Sequence, residues 1–412
     1  MNRYLQIQLA HEPNRLAVRP AFTLVAGIVL LALLASAAPS PLYADYAARW
    51  HFSTPVLTVV FAAYALGALT ALLLVGRLSD DLGRRPLLAA GLAALLGAML
   101  LFALARSVEW ILAARLVQGL ATGTILSAAG AALLELEPGR DTGRAGLVNG
   151  VSAAFGIGTG ALAASVLVQD APDPLVTPFV LLCALIVFAL GGVAFLPEPV
   201  TRKARPDLRP QRPAVPAEVR GPFALASAGV VASWSIAGLY LALAPSLAPT
   251  LLHTPSHLAG GVSVFALGAS AGLGQVALRG LTPRQATAAG ALALAAGMAV
   301  TVAAIPSDSG ALFLAGSVIT GAGWGVAFMG AIRSISAAAP AQQRAGVIAA
   351  FYLVAYLALS VPAVIAGLAV SGLGIESTFR IFGAAVIALA LLTAAGTRHT
   401  ARPTRVVQAC TK

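Results

Sequence analysis

The sequence predicts an all-α polytopic membrane protein of twelve transmembrane helices in two six-helix halves, and three observations carry that prediction. Of 412 residues, 59% are hydrophobic and 10% charged, which leaves too little polar surface to clothe a soluble core. Apolar runs of about 20 residues, the length that crosses a bilayer, recur along the chain. The basic residues behind the net charge of +11 fall almost wholly between those runs, so they report topology rather than affinity for nucleic acid.

In the first half, spans fall near 21–42, 54–75, 87–106, 110–133, 144–169 and 175–196. In the second they fall near 222–247, 259–280, 286–305, 310–336, 344–370 and 376–396. With both termini cytoplasmic, the outer ends and gaps hold only Arg49, Arg106 and Arg380 of the basic residues, and Arg115 is the one assigned to a span rather than to a span end. Basic residues near span ends resist translocation, so this asymmetry sets the orientation. The preponderance of arginine over lysine is compositional evidence for a GC-rich bacterial genome, and so for an inner (cytoplasmic) membrane.

Span one has the outline of a signal peptide, with Arg15 and Arg19 before an apolar stretch ending ASAAPS. Eleven further spans favour an uncleaved anchor. At its outer end Pro39 and Pro41 remove helix hydrogen bonds, which is tolerated where the backbone faces a cavity or a protein partner. They are expected to shape the outer mouth. Asp45, just beyond, either titrates or pairs with Arg49, and the pair is the favoured reading.

Between spans two and three, Gly76 to Pro86 reads GRLSDDLGRRP and crowds two acids and three arginines into a weakly charged chain. Gly76 permits close helix approach, and Gly83 allows a sharp reversal into span three. Arg84 and Arg85 satisfy the positive-inside pattern. Asp80 is not required by topology, and is placed to accept from backbone N–H groups or to pair with either arginine. In span four, Arg115 costs about 2.5 to 3.5 kcal/mol at mid-membrane unless it faces water or a hydrogen-bonding partner. The alternative is that it snorkels to the outer interface beside Glu109. Span five carries Asn149 and the pair Gly156-x-x-x-Gly160, which suits close helix packing rather than nucleotide binding because no strand precedes it.

The segment 197–221 interrupts the apolar pattern with proline and arginine, and reads as an extended cytoplasmic linker between a first bundle, 1–196, and a second, 222–396. A cytoplasmic tail follows at 397–412. The halves resemble each other: YALGAL at Tyr64 recurs as FALGAS at Phe265, GLATG at Gly119 as GAGWG at Gly321, and Arg144-Ala-Gly as Arg344-Ala-Gly. All lie near a common offset, which favours an internal duplication. Cys183 lies in a span and Cys410 in the tail, so no disulfide between them is expected.

Two similar six-span halves joined by a basic cytoplasmic loop resemble the plan of the major facilitator superfamily (MFS). GRLSDDLGRRP resembles its signature between spans two and three, with Gly76, Leu78, Asp80, Gly83, Arg84 and Arg85 in register. Asp81 stands where the family usually has a cation. RLVQG resembles a second family motif, with Arg115, Gln118 and Gly119 in register. The resemblance implies an alternating-access transporter in which Asp80 docks onto the second half as a cytoplasmic latch and Arg115 with Gln118 serves binding or proton coupling. Drug/proton antiporters of the superfamily carry a proline pair in span one related to Pro39 and Pro41. Their glycine-proline motif in span five is absent here, which counts against export.

Candidate cavity groups are Tyr64, Gln118, Asn149, Trp234, Tyr240, Gln275, Trp324, Tyr352 and Tyr356. Aromatic walls with a few polar tips suit bulky, partly apolar ligands. No acid falls at the centre of a span, so Asp45 and Glu135 are the proton-coupling candidates, and facilitation without protons stays open. An enzyme is not expected: no His-Glu-x-x-His occurs, and His253 and His257 flank Pro255 without further ligands. No cofactor or metal is expected. The reading is efflux of amphipathic small molecules by a monomer in the lipid bilayer, with uptake of a specific solute as the alternative and a transport-dead sensor as a lesser one.

Overall fold

The computed structural model describes residues 15–139, 141–198, 212–254, 256–340 and 342–399, without the side chains of Thr54, Pro55, Gly76, Arg77, Asp80 and His399. Most of the expected linker and nearly all of the expected tail lie outside the described residues. Within them the chain forms helices and no strand. In the first half these are α1 (Val18–Ala37), α2 (Tyr43–Trp50), α3 (Thr54–Leu82), α4 (Arg84–Ala103), α5 (Val108–Leu136), α6 (Thr142–Asp170) and α7 (Thr177–Val193). The second half holds α8 (Arg220–Leu251), α9 (Leu258–Ala277), α10 (Pro283–Ala304), α11 (Gly310–Ala338), α12 (Arg344–Leu373) and α13 (Ile375–His399).

Among the described residues, eleven helical segments are long and apolar enough to cross a bilayer, and α7, at 17 residues, lies at the short end of that range. Span one does not end at residue 42. Pro39 and Pro41 tighten the chain into a 3-10 turn, Ser40–Leu42, and helix resumes as α2. The signature between spans two and three is likewise mostly helix: α3 runs through Leu82, and Gly83 alone separates it from α4.

Local sequence explains several starts. Asp141 caps α6 by accepting from the N–H groups of Gly143 and Arg144. Thr282 and Gln285 form a reciprocal capping box at α10, behind Pro283.

The same packing scheme occurs twice. In the first half α5 packs on α1, α3 and α4, while α6 packs on α1 and α7 on α4. In the second half α11 packs on α8, α9 and α10, while α12 packs on α8 and α13 on α10. Repeat-related glycines make this possible. A Cβ at Gly119 or Gly123 would strike the α3 backbone, and one at Gly321 or Gly325 the α9 backbone. The halves meet through α6 against α9 and α3 against α12, two contacts that a two-fold rotation exchanges.

Candidate functional site

Arg115 lies in the first third of α5 and is 2% exposed, so it does not snorkel. Its Nε donates to the Tyr43 hydroxyl. Nη1 donates to the Ser36 carbonyl at 2.9 Å and to Gln118 Oε1 at 2.6 Å. Gln118 Nε2 in turn donates to the Ala35 carbonyl at 2.8 Å. Pro39 explains why that oxygen is available: the N–H four residues on, which would close the helical turn, does not exist. The guanidinium also lies 5.2 Å from the Tyr43 ring centroid and 5.5 Å from that of Tyr64. Tyr64 donates to Ser36 Oγ, which sits 3.1 Å from Thr122 Oγ1. Thus α1, α2, α3 and α5 converge on one cation whose hydrogen-bond partners among the described residues are all neutral.

Tyr43 also lines a small apolar cleft between the halves, with Leu57 and Phe61 from α3, Leu243 from α8 and Ala363 from α12. Contacts between the halves close the cleft. A Cβ at Gly367 would strike Thr58, and one at Gly261 would strike Ser165. Ser256 donates to Gln169, and Ser40 to the Leu241 carbonyl, which Pro245 leaves without a helical donor. Asp45 Oδ2 lies 3.9 Å from His257 Nδ1 and has no hydrogen-bond partner among the described residues, so the side chain it faces comes from the opposite half, not from Arg49 as expected.

The aromatic candidates divide. Trp234 packs edge-on to Tyr356 at 5.2 Å. Tyr352 adjoins this group through Phe328. Trp234 Nε1 and Asn149 Oδ1 are buried without hydrogen-bond partners. Tyr240 lies inside the second half, its hydroxyl 3.0 Å from Ser317 Oγ and its ring against Phe313 and Phe379. Trp324 is 8% exposed on α11, between Gly323 and Gly325. Gln275 fills the space left by Gly150 between α9 and α6.

At the junction of α3 and α4, Gly83 adopts φ 99°, ψ 163°, a conformation open to glycine. Glu198 sits directly over it. Its Oε1 accepts from Arg84 N at 3.0 Å and its Oε2 from Arg85 N at 2.9 Å, capping α4 with a carboxylate. The Arg84 side chain donates to Ser79 Oγ at 2.7 Å and pairs with Glu135 at 2.8 Å. Glu135 is thereby engaged as a counter-ion. Gly76 and the Asp80 side chain lie outside the described residues.

Sequence reasoning missed Glu198, Tyr43, Ser36 and His257. It also passed over Gly268-x-Ser270-x-Gly272, the spacing of a nucleophile elbow. In the structure Ser270 donates to its own helix at Leu267, and the two glycines admit α6, so the motif packs helices. Among the described residues no cluster of His, Cys, Asp and Glu could hold a metal.

Two pseudo-symmetric six-helix bundles around a central cleft define a membrane carrier. The profile of the Major Facilitator Superfamily matches residues 25–361. The chain belongs to that superfamily of transporters, is multi-pass in the membrane and is not an enzyme. A crystal structure of the human organic anion transporter MFSD10 (TETRAN) superposes with TM-score 0.70 at 20% identity, covering 93% of this chain and 100% of that one. At that identity the likeness concerns fold. No curated protein sequence matches.

Proposed function

We propose that this transporter exports amphipathic small molecules in exchange for protons, by alternating access. The observation that carries the reading is the interface: the halves touch through two symmetry-related helix pairs, α6 on α9 with Gly158 and Gly268 in close contact and α3 on α12 with Gly367 against Thr58, a surface that can rock without unpacking either bundle. The rocking bodies are 1–196 and 222–396, joined by the linker 197–221, in a monomer in the bacterial inner membrane with both termini cytoplasmic. The apolar lining beside Tyr43, closed down to about one water's space in this conformation, and the edge-on rings of Trp234 and Tyr356 offer apolar surface to a ligand with an aromatic body once the halves part. Asp45, facing His257 across the outer rim, is the residue of choice for the proton. Uptake of a specific solute is the second reading, supported by the missing glycine-proline motif in span five.

The test is dye accumulation in efflux-deficient cells, with and without a protonophore. Lower accumulation in cells expressing the protein, abolished by the protonophore and by Asp45→Asn, supports proton-driven export. Accumulation equal to that of vector-only cells, with the protein in the membrane, overturns it. Accumulation above the vector level favours uptake.

A further inference from the structure

We infer that the transported molecules are organic anions, and that Arg115 receives their carboxylate or sulfonate group; the inference deepens the transport reading and rests on it. Four observations combine. Arg115 is 2% exposed in a membrane-spanning helix, and an arginine keeps its charge there. No carboxylate lies within ion-pair distance of it among the described residues, where the ion pairs involve Glu135, Glu137, Asp308 and Asp45 with other partners. Its neutral partners occupy Nε and Nη1, leaving Nη2 without an acceptor among the described residues. Tyr43, one of those partners, is itself part of the cleft wall.

The carbonyls of Ala35 and Ser36, at the C-terminal end of α1, bring partial negative charge toward this pocket, roughly half an elementary charge for a whole helix end. The remainder of the positive charge is unbalanced, and a water-poor interior makes that imbalance strong. An incoming carboxylate or sulfonate supplies the missing charge and can engage a guanidinium through two N–H groups. A cationic ligand meets like charge instead. The apolar cleft next to Tyr43 has room for about one water in this conformation, so the body of the molecule enters as the halves part, and charge and apolar surface are then recognised by adjoining groups.

The experiment measures binding of pyrenebutyrate and its neutral amide, pyrenebutyramide, to the purified full chain in detergent by fluorescence anisotropy. The wild type is expected to favour the carboxylate by about tenfold, the effect of one charge-assisted contact. Arg115→Lys retains a preference for the carboxylate. Gln118→Glu, which alters volume little and places a carboxylate beside Arg115, removes it, as does Arg115→Gln. Thermal unfolding checks that each variant is folded, and should the Arg115 variants fail to fold, the wild-type ratio decides. Equal binding of the two probes, or tighter binding of the amide, overturns the anion assignment whatever the flux assay reports. Carboxylate-selective binding without protonophore-sensitive export keeps the anion site and removes the export reading.

Discussion

Gly83 leaves open the space that the Glu198 carboxylate fills: a Cβ at residue 83 would lie 2.5 Å from Glu198 Oε2. The two residues are far apart in sequence, yet together they build the start of α4. Gly83→Ala therefore meets two obstacles, a backbone conformation foreign to alanine and a collision with the cap. We expect it to lose about 1 to 3 kcal/mol, read as a lower unfolding midpoint in detergent. An unchanged midpoint would contradict the described geometry.

Glu198→Ala removes the cap while leaving Gly83 free to adopt its conformation. The N–H groups of Arg84 and Arg85 lose their acceptors, at a cost of about 1 kcal/mol for a lost cap. Hydrogen exchange at these two amides should accelerate before exchange elsewhere in α4.

Arg84 and Glu135 form a separate, partly buried pair at 2.8 Å. A double-mutant cycle on Arg84→Ala and Glu135→Ala should give a coupling of about 1 to 2 kcal/mol. Transport by Glu135→Gln should keep its protonophore sensitivity, because the carboxylate serves as counter-ion in the structure. Loss of that sensitivity would return Glu135 to the coupling mechanism.

Gln118→Leu strips acceptor and donor from two buried groups, Arg115 Nη1 and the Ala35 carbonyl. Leaving both exposed to an apolar interior should cost about 2 to 6 kcal/mol. Thr122→Ala, whose hydroxyl is one of several partners of Ser36, should cost much less in the same denaturation series.

Thr58 and Gly367 offer a way to hold the outer side shut. A Cβ at Gly367 would lie 3.1 Å from that of Thr58, near the separation bridged by a disulfide. In a Thr58→Cys, Gly367→Cys protein, oxidation should stop transport and reduction restore it. Transport that persists after complete cross-linking would mean this contact does not open.

The spans were legible because water excludes long apolar runs and the cytoplasm retains arginine, both of which are local properties of the chain. Repeat-related glycines were legible too, since close helix packing leaves a four-residue rhythm. Arg115 and Gln118 stood out as polar residues in apolar surroundings. Their partners did not: Tyr43, Ser36 and Ala35 look like ordinary helix-end residues until α1 folds against α5. Glu198 was hidden for the same reason, appearing only as the first acid of a basic linker. Asp45 was read against Arg49, its neighbour one turn along, whereas the fold set it against His257 from the other half.

The prolines have one last effect. Pro39, Pro245 and Pro362 each free a carbonyl one turn back, and Gln118, Ser40 and Ser235 respectively donate to those oxygens. Two of these bonds lie within a half, but Ser40 to Leu241 joins the halves. Inside a membrane such an oxygen has no water to turn to. Ser40→Ala would thus leave both bundles as well built as before and penalise only the arrangement in which the outer rims touch. Residue 40 is a place where one atom could change how long the carrier dwells on each side of the membrane.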